Sequence, residues 1–179
     1  MRGGLIIGHD KRDKGAVRCI DGVQEYDWNC DLAARIERLN PEMFKIFHIN
    51  PSLGYRDSIE DVYGRVDTWG CDLTIEHHFN SAFSRAATGT ETISSGSKGS
   101  LRFAHAIHAA MVDTLGLRDR GIKIRNSNGR ERGWRSMVSG KAPAVLIEPY
   151  FGSNPSDCRR ADERKQELAE AICRAVTAA

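Results

Sequence analysis

Three short apolar runs in this sequence end in a residue able to bind a metal or carry a proton: Leu5-Ile6-Ile7-Gly8-His9, Leu73-Thr74-Ile75-Glu76-His77-His78 and Val145-Leu146-Ile147-Glu148. As strands of an open α/β sheet, such runs would deliver these residues to the carboxyl ends, where sheets of this kind bind ligands. A fourth candidate is Glu25, which lies three and seven positions before Trp28 and Leu32 and so begins the inward stripe of a helix. A carboxylate placed there must be engaged, because burying it without a partner is costly. Taken singly, a strand-end His or Glu more often caps a helix or faces water. Taken together, two imidazoles and a carboxylate around an open fourth position make a catalytic zinc set, with another Glu left to act as general base.

The adjacent pair His77-His78 poses a choice. Side chains alternate along a strand, so Leu73, Ile75 and His77 share one face while Thr74, Glu76 and His78 share the other. Neighbours on a strand rarely reach one ion together. Parity does not say which face holds a metal, but His77, on the Leu/Ile face, suits packing better, which favours His78. His105 and His108 have helical i, i+3 spacing without a strand-end carboxylate and read as core-flank or surface residues. His48 reads as a strand side chain with no visible partner. The sequence contains no nucleophile elbow, no GxGxxG and no GxxxxGK[ST], so nucleotide chemistry finds no support.

The elements that must position these residues follow from periodicity. Leu5–Ile7 predicts a buried strand, and Trp28, Leu32, Ile36 and Leu39 a helix stopped by Asn40-Pro41. Phe44–Ile49 predicts a second strand, Ile59–Val66 a helix and Leu73–Ile75 a third strand. Leu101–Leu115 predicts a helix ending at Gly116, followed by strands at Ile122–Ile124 and Pro143–Ile147. Leu168, Ile172 and Val176 mark a final helix, capped by Ser156 or Asp157. Ser84–Ser100, rich in Gly, Ser and Thr, reads as a mobile surface loop. Repeated β-then-α order with strands apolar on both faces predicts an α/β fold, a single domain over residues 1–179 with a mostly parallel twisted sheet and helices on both faces.

Composition bounds the setting. The 179 residues are 40% hydrophobic and 28% charged with a net charge of +2, the balance of a soluble globule, with no signal for nucleic acid or a membrane surface. A monomer is expected. Five cysteines without a CxxC pair argue against both a disulfide framework and a thiolate zinc site. Leu5-Ile6-Ile7 after Arg2-Gly3-Gly4 is too short for a signal-peptide core or a spanning helix, so synthesis in the cytoplasm is expected.

These motifs resemble the zinc-dependent N-acetylmuramoyl-L-alanine amidases, cell-wall hydrolases of bacteria and their phages. The likeness runs from about residue 5 to the last helix. It rests on Gly8-His9 followed by Lys14-Gly15-Ala16, on Glu25 opening a helix, and on Asp72–Asn80, which resembles the family's Asp-Leu-x-x-Ser-x-His-x-Asn. Gly89-Thr90-Glu91-Thr92 resembles Gly-x-Glu-Thr, Arg120–Lys123 resembles Arg-Gly-x-Lys, and Pro143–Glu148, followed by Phe151 and Ser153-Asn154, resembles Pro-Ala-x-Leu-x-Glu. The resemblance implies that His9, Glu25 and His78 bind zinc and that Glu148 is the catalytic carboxylate. It further implies a peptidoglycan substrate, cut at the amide between the lactyl group of N-acetylmuramic acid and L-alanine. The sequence departs from the pattern at Asp10 and Lys11, where glycines are usual, and at Glu76 and Pro149-Tyr150, where smaller or apolar residues are commoner. Two other functions fit less well: a zinc peptidase or amidase with another substrate, and a non-catalytic peptidoglycan-binding module on the same fold. With no separate wall-binding domain evident, a phage-type lysis enzyme held in the cytoplasm and released to the wall is the expected setting.

Overall fold

The computed structural model describes residues 1–126, 129 and 131–179. Its elements run β1 (Gly3–Ile7), α1 (Glu25–Leu39), β2 (Phe44–His48), α2 (Tyr55–Trp69), β3 (Leu73–His77) and β4 (Thr90–Ser94). They continue with α3 (Lys98–Leu115), β5 (Asp119–Ile124), α4 (Trp134–Val138), β6 (Ala144–Glu148), α5 (Pro155–Glu163) and α6 (Lys165–Ala178). The strands form one sheet in the order β2-β1-β3-β6-β4-β5. β2, β1, β3 and β6 are parallel, β4 runs antiparallel to β6, and β5 is parallel to β4.

Alternation along each strand divides the core between the two faces. Leu5 and Ile7 of β1, Ile75 of β3 and Val145 and Ile147 of β6 belong to one cluster. α1, α3 and α6 cover it, with α6 packed on both others. Ile6 of β1 points the other way, into a cluster with Phe47, Val62, Tyr63 and Val66, mostly from α2. Leu146 of β6 does the same beside Ile93 and Met137, the latter from α4. β1, β3 and β6 are buried along their whole length, as strands covered on both faces must be.

The structure differs from the sequence expectations in several places. The segment read as a loop, Ser84–Ser100, contains an interior strand, β4, and the first turn of α3. Its polar side chains were misleading because each buried hydroxyl finds a partner. Thr90 Oγ1 donates to Pro149 O at 2.8 Å, and Ser94 Oγ lies 2.7 Å from Ser100 Oγ. The final helix is two helices, broken at Arg164, because apolar spacing is regular only in the second. The cap of α5 is Asn154, neither Ser156 nor Asp157. Its side chain accepts from both of their backbone N–H groups, and Pro155 follows at the first helical position. α2 begins four residues before Ile59, at Tyr55, and α4 carried no apolar repeat long enough to announce it.

Candidate active site and metal centre

β1, β3 and β6 are neighbours, and their register pairs Ile7 with His77 and His77 with Ile147. The residues just past these pairs, His9, His78 and Glu148, therefore emerge together at the carboxyl edge of the parallel strands. His9 adopts φ 65°, the one non-glycine positive φ among the described residues, a conformation that costs an L-residue about 1–2 kcal/mol. A turn enforces it: Asp10 Oδ1 accepts from the backbone N–H of Arg12 at 2.6 Å and of Asp13 at 3.0 Å. Gly15 leaves room for the ring, since a Cβ there would lie 2.6 Å from His9 Cδ2 and Nε2.

Glu25 is the first residue of α1, seated where the chain folds back through the bridge between Val17 and Gln24. Its carboxylate is 1% exposed and accepts from the backbone N–H of Ala16 and of Phe79, each at 3.2 Å. The amino end of a helix favours negative charge, which is why a buried Glu is tolerated there.

These side chains meet. His78 Nδ1 lies 2.8 Å from Glu25 Oε1, and His9 Nε2 lies 3.3 Å from Glu25 Oε2 without the alignment of a hydrogen bond, so that this buried nitrogen has no hydrogen-bond partner among the described residues. One ligand atom from each of His9, Glu25 and His78 falls within 4.8 Å of the others. Donor atoms around tetrahedral zinc stand about 3.3 Å apart, so the residues present fit a divalent cation. Burial opposes ionisation of Glu25, but the hydrogen bond from His78 and the close approach of both imidazoles outweigh it and hold its carboxyl far below the usual range. Burial likewise opposes charge on His78, yet its bonds to Glu25 and Glu76 push it up to about 10. The group is an ionic cluster in which a dication would replace a proton.

Glu148 closes the site from β6. It is 3% exposed, Oε2 has no hydrogen-bond partner among the described residues, and Arg132 Nη2 approaches Oε1 only to 3.7 Å. Burial is the largest influence on its carboxyl; the nearby His78 and Arg132 only partly counter it, leaving it raised to about 7. A carboxyl so placed is poised to exchange a proton near neutrality. The cleft in front of it measures about 460 Å³ and is lined by His9, Glu76, His78 and Glu148, with Ile49, Leu53, Tyr55 and Ile59 forming an apolar wall. A second groove of about 610 Å³, lined by Arg2, Glu37 and Lys45 among others, lies at the amino ends of the strands, away from this chemistry.

Of the four residues nominated from the sequence, His9, His78 and Glu148 thus line one cleft, and Glu25 touches two of them, His78 at 2.8 Å and His9 at 3.3 Å. His77 does not join them: it is 0% exposed, faces the opposite side of β3, and neither ring nitrogen finds a partner among the described residues. Burial, reinforced by the charge on His78, pushes it down to about 3, so it packs as a neutral ring. His108 proves bonded, to Thr92 at 2.9 Å and to Asp119 at 2.8 Å, tying α3 to β4 and β5. His48 has a partner after all, the Tyr26 hydroxyl at 3.0 Å. Sequence reasoning missed Glu76, whose Oε1 lies 2.9 Å from His78 Nε2. Strand parity, which sets Glu76 on the face of His78, was the signal that could have found it. Arg132 and the apolar wall carried no such signal.

Comparison with known proteins bears on the family and the fold. The chain is 26% identical to N-acetylmuramoyl-L-alanine amidase LytC of Bacillus subtilis over 170 residues, 92% of this chain but 32% of LytC. It therefore spans about a third of that relative. It is 29% identical to the uncharacterized protein YqiI of the same organism, over 94% of this chain and 79% of YqiI. Among solved structures, the catalytic domain of CwlV, an N-acetylmuramoyl-L-alanine amidase from Bacillus (Paenibacillus) polymyxa var. colistinus, superposes with a TM-score of 0.79 at 25% identity, covering 99% of this chain and 97% of that one. The catalytic domain of the CD27L endolysin targeting Clostridia difficile has the same fold, with a TM-score of 0.80 at 23% identity and coverage of 99% and 97%. The Amidase_3 family, N-acetylmuramoyl-L-alanine amidase, matches residues 4–178, nearly the whole chain, and to that family this protein belongs.

Proposed function

We propose that this protein hydrolyses peptidoglycan at the amide joining the lactyl group of N-acetylmuramic acid to L-alanine of the stem peptide, using a divalent metal held by His9, Glu25 and His78. The observation that carries the proposal is the meeting, in a chain of this family, of two imidazoles and a carboxylate within 4.8 Å of one another, with both imidazoles and a separate buried carboxyl raised to about 7 lining one cleft. Zinc bound by such a set polarises an amide carbonyl and makes water a nucleophile near neutral pH.

The chain's own residues supply the rest. Glu148, ionised, accepts a proton from the attacking water at a carboxylate oxygen. It then returns that proton to the leaving nitrogen of L-alanine, so that the amine departs neutral. Its Oε2, without a hydrogen-bond partner among the described residues, is the oxygen suited to the task. Glu25, fixed by the N–H groups of Ala16 and Phe79, keeps the ligand set in place. The apolar wall of Ile49, Leu53, Tyr55 and Ile59 excludes water from one side of the cleft and offers a surface for the stem peptide's methyl groups. No helix among the described residues is long and apolar enough to cross a membrane, and the proposed substrate places the site of action at the wall.

The test is product analysis by mass spectrometry after digestion of purified sacculi with zinc-loaded protein. Expected products are glycan bearing a free lactyl carboxyl and stem peptide with a free L-alanine amine. Cleavage between amino acids of the stem, or binding without cleavage, would replace this function with a peptidase or a wall-binding module.

A further inference from the structure

Glu76 stands where the family's motif carries serine, and this chain builds an environment around it. The carboxylate is 3% exposed. Its Oε2 accepts the Tyr63 hydroxyl at 2.9 Å, and its Oε1 lies 2.9 Å from His78 Nε2. Tyr63 is fully buried and comes from α2, the helix packed on the face of the sheet that Ile6 and Glu76 share. His78 is therefore held at both ring nitrogens, Nδ1 towards Glu25 at 2.8 Å and Nε2 towards Glu76 at 2.9 Å. Gly8 makes room for this arrangement, because a Cβ at that position would fall 2.3 Å from both Cε1 and Nε2 of the ring.

The two nitrogens face different partners. Nδ1 points into the group formed with Glu25 and His9, whereas Nε2 points at a carboxylate outside that group. A carboxylate accepts hydrogen bonds and donates none, while a serine hydroxyl does either. Glu76 consequently requires a hydrogen on Nε2, so that a cation taking the place of the proton between Nδ1 and Glu25 would meet the Nδ1 lone pair. Metal-binding histidines are commonly oriented this way, and losing the outer partner costs about 10–100-fold in metal affinity.

We propose that Glu76, anchored by the Tyr63 hydroxyl, is the positioning residue that fixes the tautomer and orientation of His78, committing Nδ1 to the divalent metal. This rests on the function proposed above, and the experiment separates the two. Zinc affinity is measured by competition with a chromophoric chelator for the wild type, Glu76→Ser, Glu76→Gln, Tyr63→Phe and His78→Ala, with thermal unfolding as a check of folding. The zinc-loaded wild type, labelled with 15N at histidine, reports the tautomer of His78 by NMR, a readout that a merely structural role for Glu76 would not move and that needs no variant to fold.

The expected result is a wild-type His78 protonated at Nε2 and metallated at Nδ1, with zinc affinity about 10–100-fold weaker in Glu76→Ser. Glu76→Gln, which keeps an acceptor but loses the charge, and Tyr63→Phe, which keeps the carboxylate but loses its anchor, should fall between that variant and the wild type. Metal on Nε2, or zinc bound by Glu76→Ser as tightly as by the wild type, overturns the role of Glu76 and leaves the amidase function standing. A wild type that binds no divalent metal, with His78→Ala indistinguishable from it, overturns both.

Discussion

Replacing Glu148 by Gln should remove activity and, in the metal-free protein, increase stability, with the second effect appearing only above a definite pH. The Glu148 carboxyl is lifted from 4.5 to about 7 by burial. Each tenfold change in proton affinity is worth about 1.4 kcal/mol. Below about pH 4.5 the carboxyl is protonated whether the chain is folded or not, and the burial carries no charge penalty. As pH rises from about 4.5 through about 7, the unfolded chain releases its proton while the folded one retains it, so folding loses stability over that window. The loss reaches about 3 kcal/mol at pH 8 and stays below about 1 kcal/mol at pH 5. Glu148→Gln abolishes the titration and should recover these amounts. The assay is urea unfolding of both proteins with a chelator present, at pH 5 and pH 8, beside hydrolysis of sacculi with zinc restored. Activity should fall by about 10²- to 10⁴-fold while bound zinc stays stoichiometric. An equal stability change at both pH values, or near-normal hydrolysis, would refute the reasoning. Bound zinc, as a nearby dication, lowers the carboxyl, so the stability gain should shrink in the loaded protein.

Three further outcomes follow from the geometry. His78→Ala should lose zinc, whereas His77→Ala should keep it and lose about 2–3 kcal/mol of stability through the cavity left under β3; metal analysis and urea unfolding distinguish the pair, and the reverse pattern would exchange their assignments. Gly8→Ala should weaken zinc binding by displacing the His78 ring, whose edge a Cβ would approach to 2.3 Å; chelator competition checks it, and unchanged affinity would mean that the ring does not need that space. Asn154→Ala should cost about 1 kcal/mol by uncapping α5, where the side chain now accepts from Ser156 and Asp157, and a change in the urea midpoint measures it.

Much of the fold was legible because its strongest signals are local. Leu5–Ile7 and Val145–Ile147 are uninterrupted apolar runs, and at so short a length they suit a strand buried on both faces. Glu25 could be marked as buried from its place on the stripe of Trp28 and Leu32, and it is. β4 was hidden because its suitability for the interior lies in partners far along the chain. Thr92 bonds to His108, Thr90 to the carbonyl of Pro149, and Gly89 donates its N–H to Asp157, and nothing within residues 84–100 announces them.

The same division applies to the site. The sequence by itself determined which residues could do chemistry, because strand endings and the alternation of side chains are properties of neighbouring positions. It separated His77 from His78 and nominated His9, Glu25 and Glu148. Only the tertiary structure decided that these groups meet, since β1, β3 and β6 become neighbours through crossovers that no local pattern encodes. It alone decided that burial raises Glu148 to about 7 and that Tyr63, from α2, reaches Glu76. Proton affinity and hydrogen-bond partnership depend on what surrounds a group in space, and that environment is made of residues distant in the chain.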